Sequence, residues 1–283
     1  MIDFENLKEP YLIAEIGINH NGKIQIAKKL IDAAFSCGWN CVKFQKKEPE
    51  VCVPENQKHN IKETPWGEMT YLEYKKRMEF GKGEYDYIDK YCREKPIDWT
   101  TSVWDLQSLN FILNYNVPFI KIPSAKLTEI ELIIEAAKSG KPLIVSTGMS
   151  TIEEIDKAVE VLEKYASSYA LMHCNSNYPT PDNELNINCI KMLKQRYKCP
   201  VGYSGHEYGL NPSVYSAVLG AKIIERHITL DHNIWGTDQS SSLEIIGMDL
   251  LKKRVKNVDR ILGDGEKIVT EKEKEIRKKL RGN

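Results

Sequence analysis

Net charge is the first thing this chain lacks: forty Asp and Glu balance forty Lys and Arg across 283 residues. A field that sums to zero speaks against a general nucleic-acid or polyanion binder. No apolar run approaches membrane-spanning length, and the amino-terminal Met-Ile-Asp-Phe-Glu-Asn lacks the basic and apolar regions of a signal peptide. No membrane partner and a cytoplasmic location are therefore expected. The seven cysteines are odd in number and none forms a C-x-x-C pair, so neither a disulfide framework nor a zinc-thiolate site is indicated. No glycine-rich dinucleotide fingerprint follows the first strand-like run, which turns the reading away from a doubly wound open sheet.

Present instead is a strict alternation of buried strands and amphipathic helices. Tyr11–Ile16, Asn40–Gln45, Trp99–Val103, Pro118–Ile122, Pro142–Ser146, Tyr169–His173, Pro200–Tyr203 and Lys222–Glu225 are apolar runs without a polar face, as strands covered on both sides require. Helical spacing fills the gaps at Ile24–Phe35, Glu84–Arg93, Leu106–Asn114, Glu129–Lys138, Ile152–Tyr165, Leu185–Lys194, Pro212–Leu219 and Met248–Leu262. Thr128 and Thr151 are placed as N-caps, and Gly38, Gly140 and Gly220 as helix stops. The expected fold is an α/β single-domain (β/α)8 TIM barrel over residues 1–283. Residues 46–83 are too long for a simple βα loop and read as an extended loop or lid with a short helix at Met69–Phe80. Residues 267–283 read as a solvated, charged tail.

The chemistry sits where strands end, since in such a barrel those ends share one mouth. Glu15 is a carboxylate inside a strand made for burial, either an ion-pair partner of a neighbouring lysine or an acid or base facing the mouth. Lys43 and Lys121 interrupt apolar strands, where lysine is seldom a packing choice. With Ser124 and Ser146 at strand ends they suit a phosphate and a carboxylate. Ser176 and Tyr178, in the Pro-rich segment after His173, suit a polyhydroxyl ligand. His173 reads as a core histidine, Cys174 as a packing residue and His20 as a loop histidine. His206 and His227 stand at neighbouring strand ends and form a candidate metal pair. Without a thiolate or third histidine they suit Mn²⁺, with Mg²⁺ or Co²⁺ as alternatives, completed by water or substrate. Asp238 offers one more polar group on the mouth.

Ala-Glu-Ile-Gly-x-Asn-His-Asn-Gly at 14–22, Val-Lys-Phe-Gln at 42–45, Ser-Thr-Gly-Met at 146–149, Tyr-Pro-Thr-Pro at 178–181, Gly-Tyr-Ser-Gly-His-Glu at 202–207 and Glu-Arg-His-Ile-Thr at 225–229 together resemble the sialic acid (N-acetylneuraminate) synthase-like family. The resemblance runs colinearly through the barrel domain and does not include the C-terminal antifreeze-like domain of many members. It implies a phosphoenolpyruvate-dependent condensation with a sugar aldehyde, giving a 3-deoxy-2-keto sugar acid for surface polysaccharide and releasing phosphate by C–O cleavage. It implies phosphoenolpyruvate contacts for Lys43, Lys121, Ser124, Ser146, Ser176 and Ser204, and metal ligation by His206 and His227. Glu15 matches the catalytic glutamate, and Tyr178 and Asp238 match acceptor positions. Lys126 stands where members carry an acidic residue beside the acceptor, so the implied acceptor is either an N-acetylmannosamine-like aldose or a different one. A homodimer is implied as well. Two rivals remain at this level: a Schiff-base pyruvate aldolase using Lys121, and a non-catalytic sugar-phosphate binding protein.

Overall fold

A computed structural model describes residues 2–282; Met1 and Asn283, which belong to the single-domain and tail expectations, lie outside the described residues. Eight parallel strands close into a barrel: β1 Tyr11–Gly17, β2 Cys41–Lys46, β3 Asp98–Val103, β4 Ile120–Ile122, β5 Leu143–Ser146, β6 Tyr169–His173, β7 Val201–Gly205 and β8 Ile223–His227. Each strand pairs with its sequence neighbours, and β8 closes on β1. The expected TIM barrel is the fold found.

The strands read as continuously apolar because two different cores claim alternate residues. Leu12, Ala14 and Ile16 of β1 face outward into the layer shared with the helices. Tyr11 and Ile13 face inward and pack with Phe4, Cys41, Phe119, Ile144, Ala170, Met172 and Ile223 into a plug inside the barrel. Two residues further along the same inward faces the chemistry changes. Ile13 gives way to Glu15, Cys41 to Lys43, Phe119 to Lys121, Ile144 to Ser146 and Ile223 to Glu225, all buried. The period of two thus sets the site directly on an apolar floor. At Gly202, inside the wall, an added Cβ would meet Met172 Sδ at 2.4 Å, so the barrel closes there only around glycine.

The helices follow the expected order with local differences. Thr151 caps Ile152–Tyr165 through a reciprocal bond pair with Glu154, as expected. Thr128 does not cap the helix Ile130–Lys138; Glu129 holds that position and makes no side-chain cap bond. The helix expected at Leu185–Lys194 begins later, at Cys189–Tyr197, because the preceding residues form a short turn at Asp182–Glu184 and Leu185 gives its carbonyl to His173. The last long helix breaks at Asn257 into Ile245–Lys256 and Val258–Leu262. Within 46–83 a two-stranded hairpin, Ile61–Thr64 with Gly67–Thr70, leads into the helix Tyr71–Met78, shorter than the Met69–Phe80 expected. The tail holds an exposed helix, Glu271–Arg281, with no buried residue. No described helix is long and apolar enough to cross a membrane.

Candidate active site

Register brings the charged residues together. Glu15 of β1 is level with Lys43 of β2 on one side and His227 of β8 on the other, and Glu225 of β8 is level with Ser204 of β7. The results are short contacts at the floor of the mouth. Lys43 Nζ lies 2.7 Å from Glu15 Oε2 and 3.6 Å from Glu225 Oε1, and donates to Ser102 Oγ at 2.7 Å. Lys121 Nζ donates to both carboxylate oxygens of Glu225 at 3.2 Å, and Ser204 Oγ donates to the same group at 3.1 Å. Gln45 Nε2 donates to Glu15 Oε1 at 3.2 Å. Glu15 therefore pairs with the lysine of the next strand and also lines the pocket.

These charges set one another. Burial alone would raise Glu225, but Lys121, Lys43 and His227 more than offset it and hold the carboxyl at about 2. Burial would lower Lys43, and Glu15 and Glu225 instead hold it above the usual lysine range. Lys121 is pulled below that range by burial, which its contact with Glu225 only partly opposes. Both lysines and both glutamates are buried, and the four formal charges cancel.

The pocket above this floor has a volume of about 220 Å³. It collects Ser124, Ser146, Ser176, Ser204, Tyr178, His206 and His227 around the four charged groups. Gly148 keeps it open: a Cβ there would sit 2.6 Å from Ser176 Oγ and 2.8 Å from Ser124 Oγ. Ser146 Oγ is buried without a hydrogen-bond partner, a donor free to meet a ligand. Cys174, expected as mere packing, also lines the pocket, with its sulfur 3.1 Å from Ser124 Oγ.

The two imidazoles converge, their ring centroids 5.6 Å apart. His206 Nδ1 donates to the carbonyl of Asn175 at 2.5 Å, which leaves Nε2 bare to accept from the Tyr178 hydroxyl at 2.9 Å. Burial, and then the neighbouring His227, lower His206 to about 3, so the ring is neutral. A neutral imidazole oriented by a backbone carbonyl is what a metal ligand requires. His227 Nδ1 is buried with no hydrogen-bond partner, 3.7 Å from Asp238 Oδ2. The described residues contain no cluster of three or more His, Cys, Asp or Glu suited to a metal, so a cation here would complete its shell with water or substrate. Lys126 lies beside the pocket rather than in its wall and is 3.6 Å from Glu129. His173, expected as a satisfied core histidine, is bonded to the Leu185 carbonyl at 2.8 Å but is only half-buried.

Sequence reading missed Glu225, Glu207 and Arg226 as site-building residues. Arg226 and Glu207 are fully buried and paired at 3.0 Å; Arg226 also donates to the Glu207 and Gly209 carbonyls at 2.6 and 2.8 Å. This clamp fixes the segment just after His206 against the strand that carries His227. The signal was available: Glu225 and Arg226 interrupt an apolar strand as Glu15 and Lys43 do.

Comparison with known proteins supplies context for this geometry. A family model described as NeuB family matches residues 30–267. The N-acetylneuraminate-9-phosphate synthase of Drosophila melanogaster is 41% identical over 238 residues, 83% of this chain and 64% of the fly protein. The N,N'-diacetyllegionaminic acid synthase of Campylobacter jejuni is 33% identical over 284 residues, covering 97% of this chain and 85% of that protein. A solved N-acetylneuraminic acid synthetase from Leptospira borgpetersenii superposes with a TM-score of 0.85 at 31% identity, covering 98% of this chain and 94% of that one.

Proposed function

Because the chain belongs to the NeuB family, we propose that it is a transferase that condenses phosphoenolpyruvate with an aldose to give a nonulosonic, sialic-type acid and phosphate. The observation that carries this reading is the pocket in which Lys43, Lys121 and five serines are gathered with two imidazoles and Glu15. The fly and Campylobacter relatives are both synthases of such acids, which supports the same class.

Lys43 and Lys121 hold the phosphate and carboxylate of phosphoenolpyruvate, with Ser124, Ser146, Ser176 and Ser204 as directed donors. Their charges are already matched by Glu15 and Glu225, so an added dication is what restores a positive field for a polyanionic substrate. His206 and His227 would hold that ion, Mn²⁺ first, and when bound it supplies positive charge that polarises the aldehyde oxygen. Carbon 3 of phosphoenolpyruvate then bonds to the aldehyde carbon, whose oxygen takes up a proton and becomes a hydroxyl. Water adds to carbon 2, and the bond from carbon 2 to the phosphate oxygen breaks, leaving a 2-keto acid. Most of the acceleration is positional, the floor fixing one reactant while the mouth admits the other. Glu15, held from both sides by Gln45 and Lys43, exchanges a proton with the new hydroxyl or with the attacking water.

The test is phosphate release from phosphoenolpyruvate with a panel of aldoses, before and after chelation. Release with at least one aldose, abolished by EDTA and restored by Mn²⁺, is expected. Full activity after exhaustive chelation would remove the metal from the scheme. Borohydride trapping of pyruvate on Lys121 would replace the scheme with a Schiff-base aldolase.

A further inference from the structure

The two imidazoles of the pocket stand where the barrel wall stops pairing with itself. The register between β7 and β8 ends at Gly205 and Arg226, and His206 and His227 are each the next residue along. His227 is still in its strand, but His206 opens the loop that runs to Leu210. We propose that the buried cluster of Arg226, Glu207 and Tyr203 takes over from the ladder at this point and sets the affinity of the His206–His227 pair for a divalent cation, its members acting as positioning residues that never touch the ion. The inference rests on the metal of the condensation reading above and adds which residues outside the pocket govern its binding.

Alternation along β8 puts the cluster behind the wall. Glu225 and His227 line the pocket, so Arg226 between them points the other way, into the helix layer. There Arg226 Nη1 donates to Glu207 Oε1 at 3.0 Å, to Ser213 Oγ at 3.1 Å and to the Gly209 carbonyl at 2.8 Å, and Nη2 donates to the Glu207 carbonyl at 2.6 Å. Tyr203 of β7 donates its hydroxyl to Glu207 Oε2 at 2.7 Å. Two of the arginine's bonds end on main-chain carbonyls just past His206, so the residue beside one imidazole holds the backbone beside the other. All three side chains are buried. Gly205 leaves the room they need: a Cβ there would lie 2.6 Å from Glu207 Oε2, 2.8 Å from Tyr203 Cε1 and 2.9 Å from Arg226 Cδ. Stability alone is a poor account of this cluster. An apolar pair of similar volume is often as stable as a buried ion pair, and Arg226 Nε stays buried without a partner. The charges of Arg226 and Glu207 cancel, so the pair supplies little field at the pocket. What it supplies is a fixed backbone around both imidazoles, and groups outside the ligand shell typically change metal affinity by about 10- to 100-fold.

The test titrates the intact chain with Mn²⁺ alone and reads the electron paramagnetic resonance signal of the free ion. Beside it stand the urea midpoint of the metal-free protein and its calorimetric affinity for phosphoenolpyruvate. The informative variant combines Glu207→Met with Arg226→Met, which removes both charges at once and strands neither. It should bind Mn²⁺ about 10- to 100-fold more weakly, while its urea midpoint and phosphoenolpyruvate affinity stay close to those of the wild type. Tyr203→Phe removes one bond to Glu207 and should weaken Mn²⁺ binding by roughly threefold. Wild-type Mn²⁺ affinity in the double variant overturns the inference. So does a loss of Mn²⁺ and phosphoenolpyruvate affinity in equal measure, which would mean a general distortion of the mouth. If the double variant does not fold, Tyr203→Phe decides: weaker Mn²⁺ binding with phosphoenolpyruvate binding unchanged sustains the inference, and unchanged Mn²⁺ binding overturns it. A wild type that binds no Mn²⁺ is a separate outcome, which sinks the metal in the condensation reading and this inference with it.

Discussion

The floor and the rim of this mouth both gather lysines, and they treat them in opposite ways. On the floor, Lys43 and Lys121 are matched against Glu15 and Glu225 and fully enclosed. On the rim, Lys47 lies over Trp104, Lys62 lies 5.2 and 5.9 Å from the rings of Tyr74 and Trp235, and Lys75 flanks Tyr71. A carboxylate neutralises its partner and fixes it by hydrogen bonds. An aromatic ring stabilises the cation and leaves its field intact. The floor is therefore a prebuilt, self-balanced network, suited to chemistry that must be repeated identically. The rim is an open electrostatic surface carried on a long connection, suited to choosing what enters.

Breaking the floor should cost most. Glu15→Gln keeps the shape and removes the charge. It should lower kcat by about 10²- to 10⁴-fold, the usual worth of a positioned acid or base, with phosphoenolpyruvate affinity measured by calorimetry largely retained. Unchanged turnover would take Glu15 out of the reaction. Glu225→Ala should show next. It strands two buried lysines, and removing one partner of a buried pair typically costs about 3–5 kcal/mol. The urea midpoint measures this directly. A small loss there would mean that water, not charge matching, satisfies the floor.

The floor was legible in sequence and the rim was not, for a physical reason. A Glu or Lys inside an apolar strand is costly unless it has a purpose, so Glu15, Lys43 and Lys121 stand out against their neighbours. Glu225 and Arg226 carry the same signal, but it is masked by the adjacent His227, whose residue type alone suggests a ligand. The barrel itself was readable because each strand must be apolar on both faces. By contrast, Lys47, Lys62 and Lys75 lie in a chain segment where lysine is ordinary, and only tertiary packing sets them on Trp104, Trp235 and Tyr71. Trp104 likewise reads as one residue past a strand, and its unpaired N–H has no counterpart in sequence. The absent cap at Thr128 is a smaller case: the residue type fits, but the helix starts one position later.

Loosening the rim tests the other half of the contrast. Trp235 packs edge-on against Trp66 and Tyr74 at centroid distances of 5.6 and 5.5 Å, and its carbonyl accepts from Asn21 Nδ2. Each aromatic pair is worth about 0.5–1.5 kcal/mol. Trp235→Ala should raise the acceptor KM by roughly tenfold and speed tryptic cleavage within 46–83, with global stability less affected than in Glu225→Ala. Equal effects on both would mean that the rim is part of the floor's structure rather than a separate element.

The smallest expected effect lies at the junction of the two regions. His20 is buried beneath Phe80, with ring centroids 3.9 Å apart, and its Nδ1 accepts from Gly22 N–H at 3.0 Å. Burial lowers it from the usual 6.5 to about 3, partly opposed by a bond to the Gly17 backbone. Between those values the unfolded chain binds a proton that the folded chain refuses. Stability from this site is therefore complete above pH 6.5 and is lost as pH falls toward 3, by at most about 1.4 kcal/mol per unit. Comparing urea midpoints of the wild type and His20→Gln at pH 7 and pH 5 isolates the group. The wild type should lose about 1–2 kcal/mol more than the variant over that range. A difference independent of pH would mean that His20 is relieved by local opening of the rim before it is protonated, which would make the junction looser than the packing of Phe80 implies.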